Sequence, residues 1–187
     1  MSLHLRITEH RVIFHVTEEY LNRADLAMRN FLSSLCVQLI MLYFTYGSFM
    51  DINNLKKHTP SAKFVCKAMI PNWEVQYNYY STNYQGGCTG IEPAINKLVR
   101  GAVYEIPPDE MEHLDTIEGI PNGTYYRHPI MVVSEHGEPM LAHVYRTTNP
   151  RGPYKPTKKY LTYMLDGAKT LGLPEEYIKT LERETKD

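Results

Sequence analysis

Two short stretches of this sequence carry residue types at spacings that could do chemistry. The first is Tyr43-Phe44-Thr45-Tyr46-Gly47-Ser48-Phe49-Met50. An apolar, aromatic strand pattern runs into a glycine turn and then toward a helix start. Backbone N–H groups at such a turn are available to bind an anion such as a carboxylate. Gly47 allows a ligand close to the backbone, and Ser48 adds a hydroxyl. Taken alone, strand-to-helix turns of this composition are more often structural than functional.

The second stretch is Leu114-Asp115-Thr116-Ile117-Glu118-Gly119-Ile120. Helical spacing lines Met111, Leu114 and Ile117 along one apolar face, with Glu118 beside them at the helix end. A carboxylate there is disfavoured by the helix dipole, by about 0.3–1 kcal/mol. Apolar neighbours would raise its pKa further, which suits a general acid or base. Spacing alone still favours a solvated glutamate ahead of a capping glycine. Asp115, one turn earlier, reads either as a second carboxylate or as a surface acid.

Other reactive side chains offer less. Among eight histidines there is no HExxH and no close pair with a carboxylate on one helical face, and His113 reads as solvated. Cys36, Cys66 and Cys88 have no metal-ligand spacing, and their odd number argues against a disulfide framework. Cys88 follows Gly86-Gly87, and no histidine partner is apparent for it as a nucleophile. The Lys155–Lys159 region reads as a solvated basic face.

These stretches need elements to position them. Leu42–Tyr46 reads as a strand and Asp51–Lys57 as a short helix stopped by Pro60. Ala62–Ile70 and Trp73–Tyr80 read as two strands broken at Pro71-Asn72, and Thr82–Gly90 as a turn region. Lys97–Ile106 reads as a strand and Asp109–Glu118 as a helix. Strands Tyr125–Val133 and Met140–Tyr145 flank a hairpin at His136-Gly137. Helices Lys158–Leu171 and Glu175–Glu184 follow a Pro- and Gly-containing loop. Strands with inserted helices and no βαβ alternation indicate an α+β fold around a curled or closed sheet.

The chain has 187 residues, 20 Lys+Arg against 21 Asp+Glu, and 15 tyrosines. Its length suits one domain with a core of its own. The absence of a basic excess argues against a nucleic-acid partner. Phe31–Phe44 is the most apolar run, but it is shorter than the about 18 residues of a spanning helix and is interrupted by Ser33, Ser34 and Gln38. The first ten residues do not read as a secretory signal. The expectation is therefore a cytoplasmic protein with reduced thiols and no membrane partner. Residues 1–40 read as a helical extension, with Leu21, Ala24, Met28, Phe31, Leu32, Leu35 and Leu39 on one face. That face could pack on the domain or form a homodimer contact. Residues 41–187 read as the main domain.

The ordered set of motifs resembles the γ-glutamylcyclotransferase (AIG2-like) family. YFTYGSFM resembles its YGSN-type loop, and LDTIEGIPNGTYY its catalytic segment. The likeness continues through TPSAKFVCKAMIPNWEVQY, QGGCTGI, RGAVYEI and KKYLTYMLDGAKTLGLPEEYIKTL. It implies a small mixed β-barrel-like sheet flanked by short helices, with a cavity at one mouth. It implies an enzyme of acyltransferase or lyase type that cleaves a γ-glutamyl amide by lactam formation, releasing 5-oxoproline and a free amino acid or amine. Neither a metal nor an organic cofactor is implied. By the same matching, Glu118 is the catalytic acid/base. Tyr46, Gly47, Ser48, Phe49, Tyr125 and Tyr160 bind the γ-glutamyl substrate. Phe49 stands where the family usually has asparagine. That departure keeps a non-catalytic small-molecule binding protein as the alternative reading, and the identity of the leaving amine is left open.

Overall fold

The computed structural model describes residues 4–8, 11–15 and 40–186. Two units are distinguished, residues 1–39 and residues 40–187. In the first, β1 (His4–Thr8) and β2 (Arg11–His15) form an antiparallel hairpin, which the sequence reading did not anticipate. The expected helix over Leu21–Leu39 lies outside the described residues.

The second unit is built on a closed five-stranded barrel. Its strands are β3 (Met41–Thr45), β4 (Lys63–Ser81), β5 (Gly86–Ile106), β6 (Tyr125–Ser134) and β7 (Pro139–Thr147). Their order around the barrel is β3-β5-β4-β6-β7, closed by a parallel contact between Tyr43 and His143. With short helices against it, this is the α+β barrel-like architecture expected from the sequence.

Strand alternation explains why β3 belongs in the sheet. Phe44 points into the barrel with Val99, Val103, Val132 and Val144. Tyr43 points to the other face, packing with Ala102, Tyr104, Met111 and Leu114. Both faces of β3 are therefore covered, which is what a run of aromatic and aliphatic residues predicts.

Two boundaries differ from the sequence reading. Pro71-Asn72 does not end a strand, and β4 runs through it for 19 residues. The irregularity is absorbed by a register shift between Pro71 and Trp73, with Asn72 at φ 61°. A bulge of this kind bends a strand without ending its pairing. Gly86 and Gly87 likewise belong to β5, a 21-residue strand, rather than to the turn before it. Their lack of a side chain serves packing, because the Tyr154 carbonyl lies where a Cβ on Gly87 would sit and Gly87 N–H donates to Lys155 O at 2.8 Å.

Four helices complete the unit. α1 (Ile52–Leu55) is shorter than expected and follows a single 3₁₀ turn, Ser48–Met50. α2 (Pro108–Ile117) begins with proline at its first position and Asp109 and Glu110 in its first turn, all favoured there. α3 (Lys158–Thr170) is capped by the Thr157 hydroxyl, which accepts from Tyr160 N–H at 3.3 Å. α4 (Glu175–Lys186) packs Leu181 against the Met164 and Ala168 face of α3.

Gly101 marks the tightest backbone approach in the barrel, since a Cβ there would overlap Thr45 O and crowd the Phe44 ring. The end of β3, and hence the turn after it, rests on that contact. Gly101→Ala is expected to destabilise the protein by about 1–3 kcal/mol, the usual range for overpacking, read as a lower midpoint in urea unfolding.

Candidate active site

The two stretches singled out in the sequence meet at one cavity of about 710 Å³. Glu118 lines it together with Tyr46, Gly47, Ser48 and Phe49, and so do Tyr125 and Tyr160. More than half of the protein's 15 tyrosines contribute to its walls.

Glu118 arrives there through the geometry of α2. It caps the helix, its N–H donating to Leu114 O at 2.9 Å. Met111, Leu114 and Glu118 are spaced i, i+3, i+7, the period of a single helical face. That face is the buried one, since Met111 and Leu114 are fully enclosed. Ile117, expected on it, instead flanks it at 44% exposure. The chain turns away immediately after the carboxylate because Gly119 adopts φ 73°, a left-handed conformation that glycine takes without strain.

The cavity leaves Glu118 in contact with open space, yet protein surrounds it. That enclosure pushes its pKa up from the ordinary 4.5 to about 8, with the nearby charge of Asp115 adding to the effect. Asp115 is not a free second acid. Arg127 donates to its Oδ2, and the Tyr145 hydroxyl donates to Oδ1 at 2.7 Å. Arg127 and Tyr145 are cross-strand partners on β6 and β7. The sheet thus grips the last turn of α2 one helical turn before Glu118.

Thr89 joins the other parts of the site. Tyr125 donates its hydroxyl to Thr89 O at 2.9 Å. Thr89 N–H donates to the Tyr160 hydroxyl at 3.1 Å, and the Thr89 and Tyr160 hydroxyls share a hydrogen bond of 2.7 Å. A Cβ on Gly47 would lie 2.5 Å from Thr89 Oγ1 and 3.1 Å from the Tyr160 oxygen. Glycine is required at 47 for this close approach, while its φ of −111° makes no such demand. The turn closes when Met50 N–H donates to Gly47 O at 3.0 Å. The amides of Ser48 and Phe49 come before that bond, as the first donors of any helical turn do.

Tyr46 is buried and donates its hydroxyl to Tyr145 O at 2.7 Å. The Phe49 ring is buried too, and meets His58 edge-on with centroids 5.7 Å apart. A side-chain amide does reach the turn, but from α1, where Asn54 Nδ2 donates to Ser48 O at 3.3 Å. Cys88 lines the same cavity, and burial pushes its thiol up to about 12, so it is not an activated nucleophile. Among the described residues no cluster of three His, Cys, Asp or Glu side chains could hold a metal ion. Nor is any described helix long and apolar enough to cross a membrane.

Residues 98–181 match the model of the AIG2-like family. The mouse γ-glutamylcyclotransferase is 29% identical over 145 residues, covering 75% of this chain and 77% of that protein. The human γ-glutamylcyclotransferase is 28% identical over the same shares. A solved γ-glutamyl cyclotransferase structure superposes with a TM-score of 0.73 at 27% identity, covering 76% of this chain and 86% of that one. In sequence and fold the chain is γ-glutamylcyclotransferase-like.

Within this domain, Thr89, Tyr145 and Asn54 were not picked out by sequence reasoning, and Asp115, read as a second carboxylate or a surface acid, is instead tied to Arg127 and Tyr145. Thr89 acts through contacts with residues distant in sequence, and no local pattern reports it. The i, i+3, i+7 spacing of Met111, Leu114 and Glu118 was a legible signal that the glutamate faces inward.

The raised pKa of Glu118 also has a stability consequence. Between pH 4.5 and about 8 the folded protein holds a proton on Glu118 that the unfolded chain has released. Stability therefore falls with rising pH across that window. Glu118→Gln removes the effect. Its melting temperature should match wild type below pH 4.5, exceed it increasingly up to about pH 8, and keep a constant gap above, as followed by differential scanning fluorimetry.

Proposed function

We propose that the protein is a cyclotransferase acting on a small γ-glutamyl compound. The substrate's α-amine attacks its own γ-carbonyl carbon. The new C–N bond closes a five-membered lactam, the γ-amide C–N bond breaks, and 5-oxoproline leaves with a free amino acid or amine. Because the reaction is intramolecular, holding the two reacting atoms together supplies much of the rate. No metal or organic cofactor enters the scheme.

The observation that carries this reading is an enclosed carboxylate with a pKa near 8 in the same cavity as the 46–49 turn. The attacking nitrogen must lose a proton and the departing nitrogen must gain one. A group titrating close to physiological pH can both take and return that proton. Glu118 is assigned this shuttle. Bringing the substrate's ammonium beside it favours its charged form, which primes it as a base. The amides of the 46–49 turn are assigned to the substrate α-carboxylate and to the charge developing on the γ-carbonyl oxygen. Tyr125 and Tyr160 are assigned to the pocket wall, with their hydroxyls tied to Thr89.

Catalysis is favoured over binding alone on two grounds. The similar proteins named above are cyclotransferases by name. Phe49 packs its ring into the wall, and a change of side chain at position 49 leaves the number of backbone N–H groups in the turn the same. The reading further places the enzyme in the cytoplasm. It treats residues 1–40 as an extension available for a homodimer contact, and assigns no nucleic-acid partner.

The test is mass-spectrometric detection of 5-oxoproline from a panel of γ-glutamyl amino acids and amines. Glu118→Gln should lower turnover by about 10²–10⁴-fold, the usual range for a general acid/base, while circular dichroism shows a retained fold. Turnover by that variant at the wild-type rate would remove Glu118 from the mechanism.

A further inference from the structure

The cavity lining includes residues that the reaction does not use. The reacting part holds Glu118, Tyr125, Tyr160 and the 46–49 backbone, tied together through Thr89. The lining also includes four rings, Phe49, His58, Tyr84 and Tyr163, with the polar Asn54, Thr82, Asn83 and Lys159. Phe49 is buried, whereas His58, Tyr84 and Tyr163 keep part of their surface open. Half-open rings facing a cavity are a different matter from rings sealed in a core, because they still have apolar area to bury.

Each of these rings is also held in place. Tyr84 stands edge-on against Tyr160, with centroids 5.0 Å apart and planes at 81°. Phe49 and His58 pair at 5.7 Å and 68°. Lys57 lies 5.6 Å over the Tyr163 ring and donates to Asn54 Oδ1 at 3.4 Å. A ligand entering here meets walls whose ordering cost is already met, a condition that favours tight and selective binding.

From these observations we infer that the part of the cavity lined by Phe49, His58, Tyr84 and Tyr163 is the subsite for the leaving amine, and that it selects an amine bearing an aromatic side chain. This rests on the cyclotransferase reading, which fixes the γ-glutamyl portion beside Glu118 and sends the amine portion toward the remaining space. A small amine would leave the open faces of His58, Tyr84 and Tyr163 to water. An aromatic one would stack on them edge to face, the arrangement that the rings already adopt with one another. The cavity volume of about 710 Å³ leaves room for it.

The experiment compares γ-glutamyl-phenylalanine with γ-glutamyl-alanine, which share every polar group and differ in the ring. The ratio of kcat/KM for the two should favour the phenylalanine compound by about tenfold or more, the scale on which apolar pockets discriminate. Tyr163→Ala should lower kcat/KM more for the phenylalanine compound than for the alanine one, drawing the ratio toward one. Tyr163→Phe should restore it. Equal turnover of the two compounds by the wild type, or a ratio unmoved by Tyr163→Ala, overturns the subsite. Ligand-induced thermal stabilisation by the same two compounds decides the matter independently of turnover. Stronger stabilisation by the phenylalanine compound supports the subsite, and equal stabilisation overturns it. Absence of 5-oxoproline from both compounds alongside selective stabilisation overturns the cyclotransferase reading alone.

Discussion

The grip of Arg127 and Tyr145 on Asp115 is the interaction on which the rest of the site depends. The last turn of a ten-residue helix is ordinarily the part most prone to fray. Here two cross-strand neighbours on the barrel hold its carboxylate from one side. Glu118 follows within one turn, on the face that Met111 and Leu114 bury. A group whose ionisation is opposed by its surroundings needs a rigid support. A frayed helix end would swing it into water and return its pKa to the ordinary range.

Thr89 does for the opposite wall what Asp115 does for α2. Its carbonyl, amide and hydroxyl reach Tyr125 and Tyr160, and its side chain leaves room only for glycine at position 47. One residue of β5 thus connects β6, α3 and the turn after β3. Because these hydrogen bonds are buried, losing one partner would leave another unsatisfied, so the arrangement holds as a unit. Tyr125 and Tyr160 each present a ring to packing and a hydroxyl to Thr89.

Phe49 forms part of the wall of the cavity beside the turn. Its ring joins the core under α2, and the polar contact to the turn comes from Asn54, one helix later.

From residue 41 onward the sequence by itself determined most element types, the α+β class around a curled or closed sheet and the two segments that meet at the cavity. Alternation in β3 and the 3.6-residue period of α2 are local consequences of backbone geometry, and local pattern suffices to read them. It misjudged Pro71-Asn72 and Gly86-Gly87, because a bulge and a break look alike until the partner strand is known. Only the tertiary structure decided that Glu118 titrates near 8, since that value depends on the protein surrounding it and on Asp115. It alone brought Thr89 into the site. Its role lies in contacts with Tyr125 and Tyr160, far away along the chain, and such contacts leave no period in the sequence.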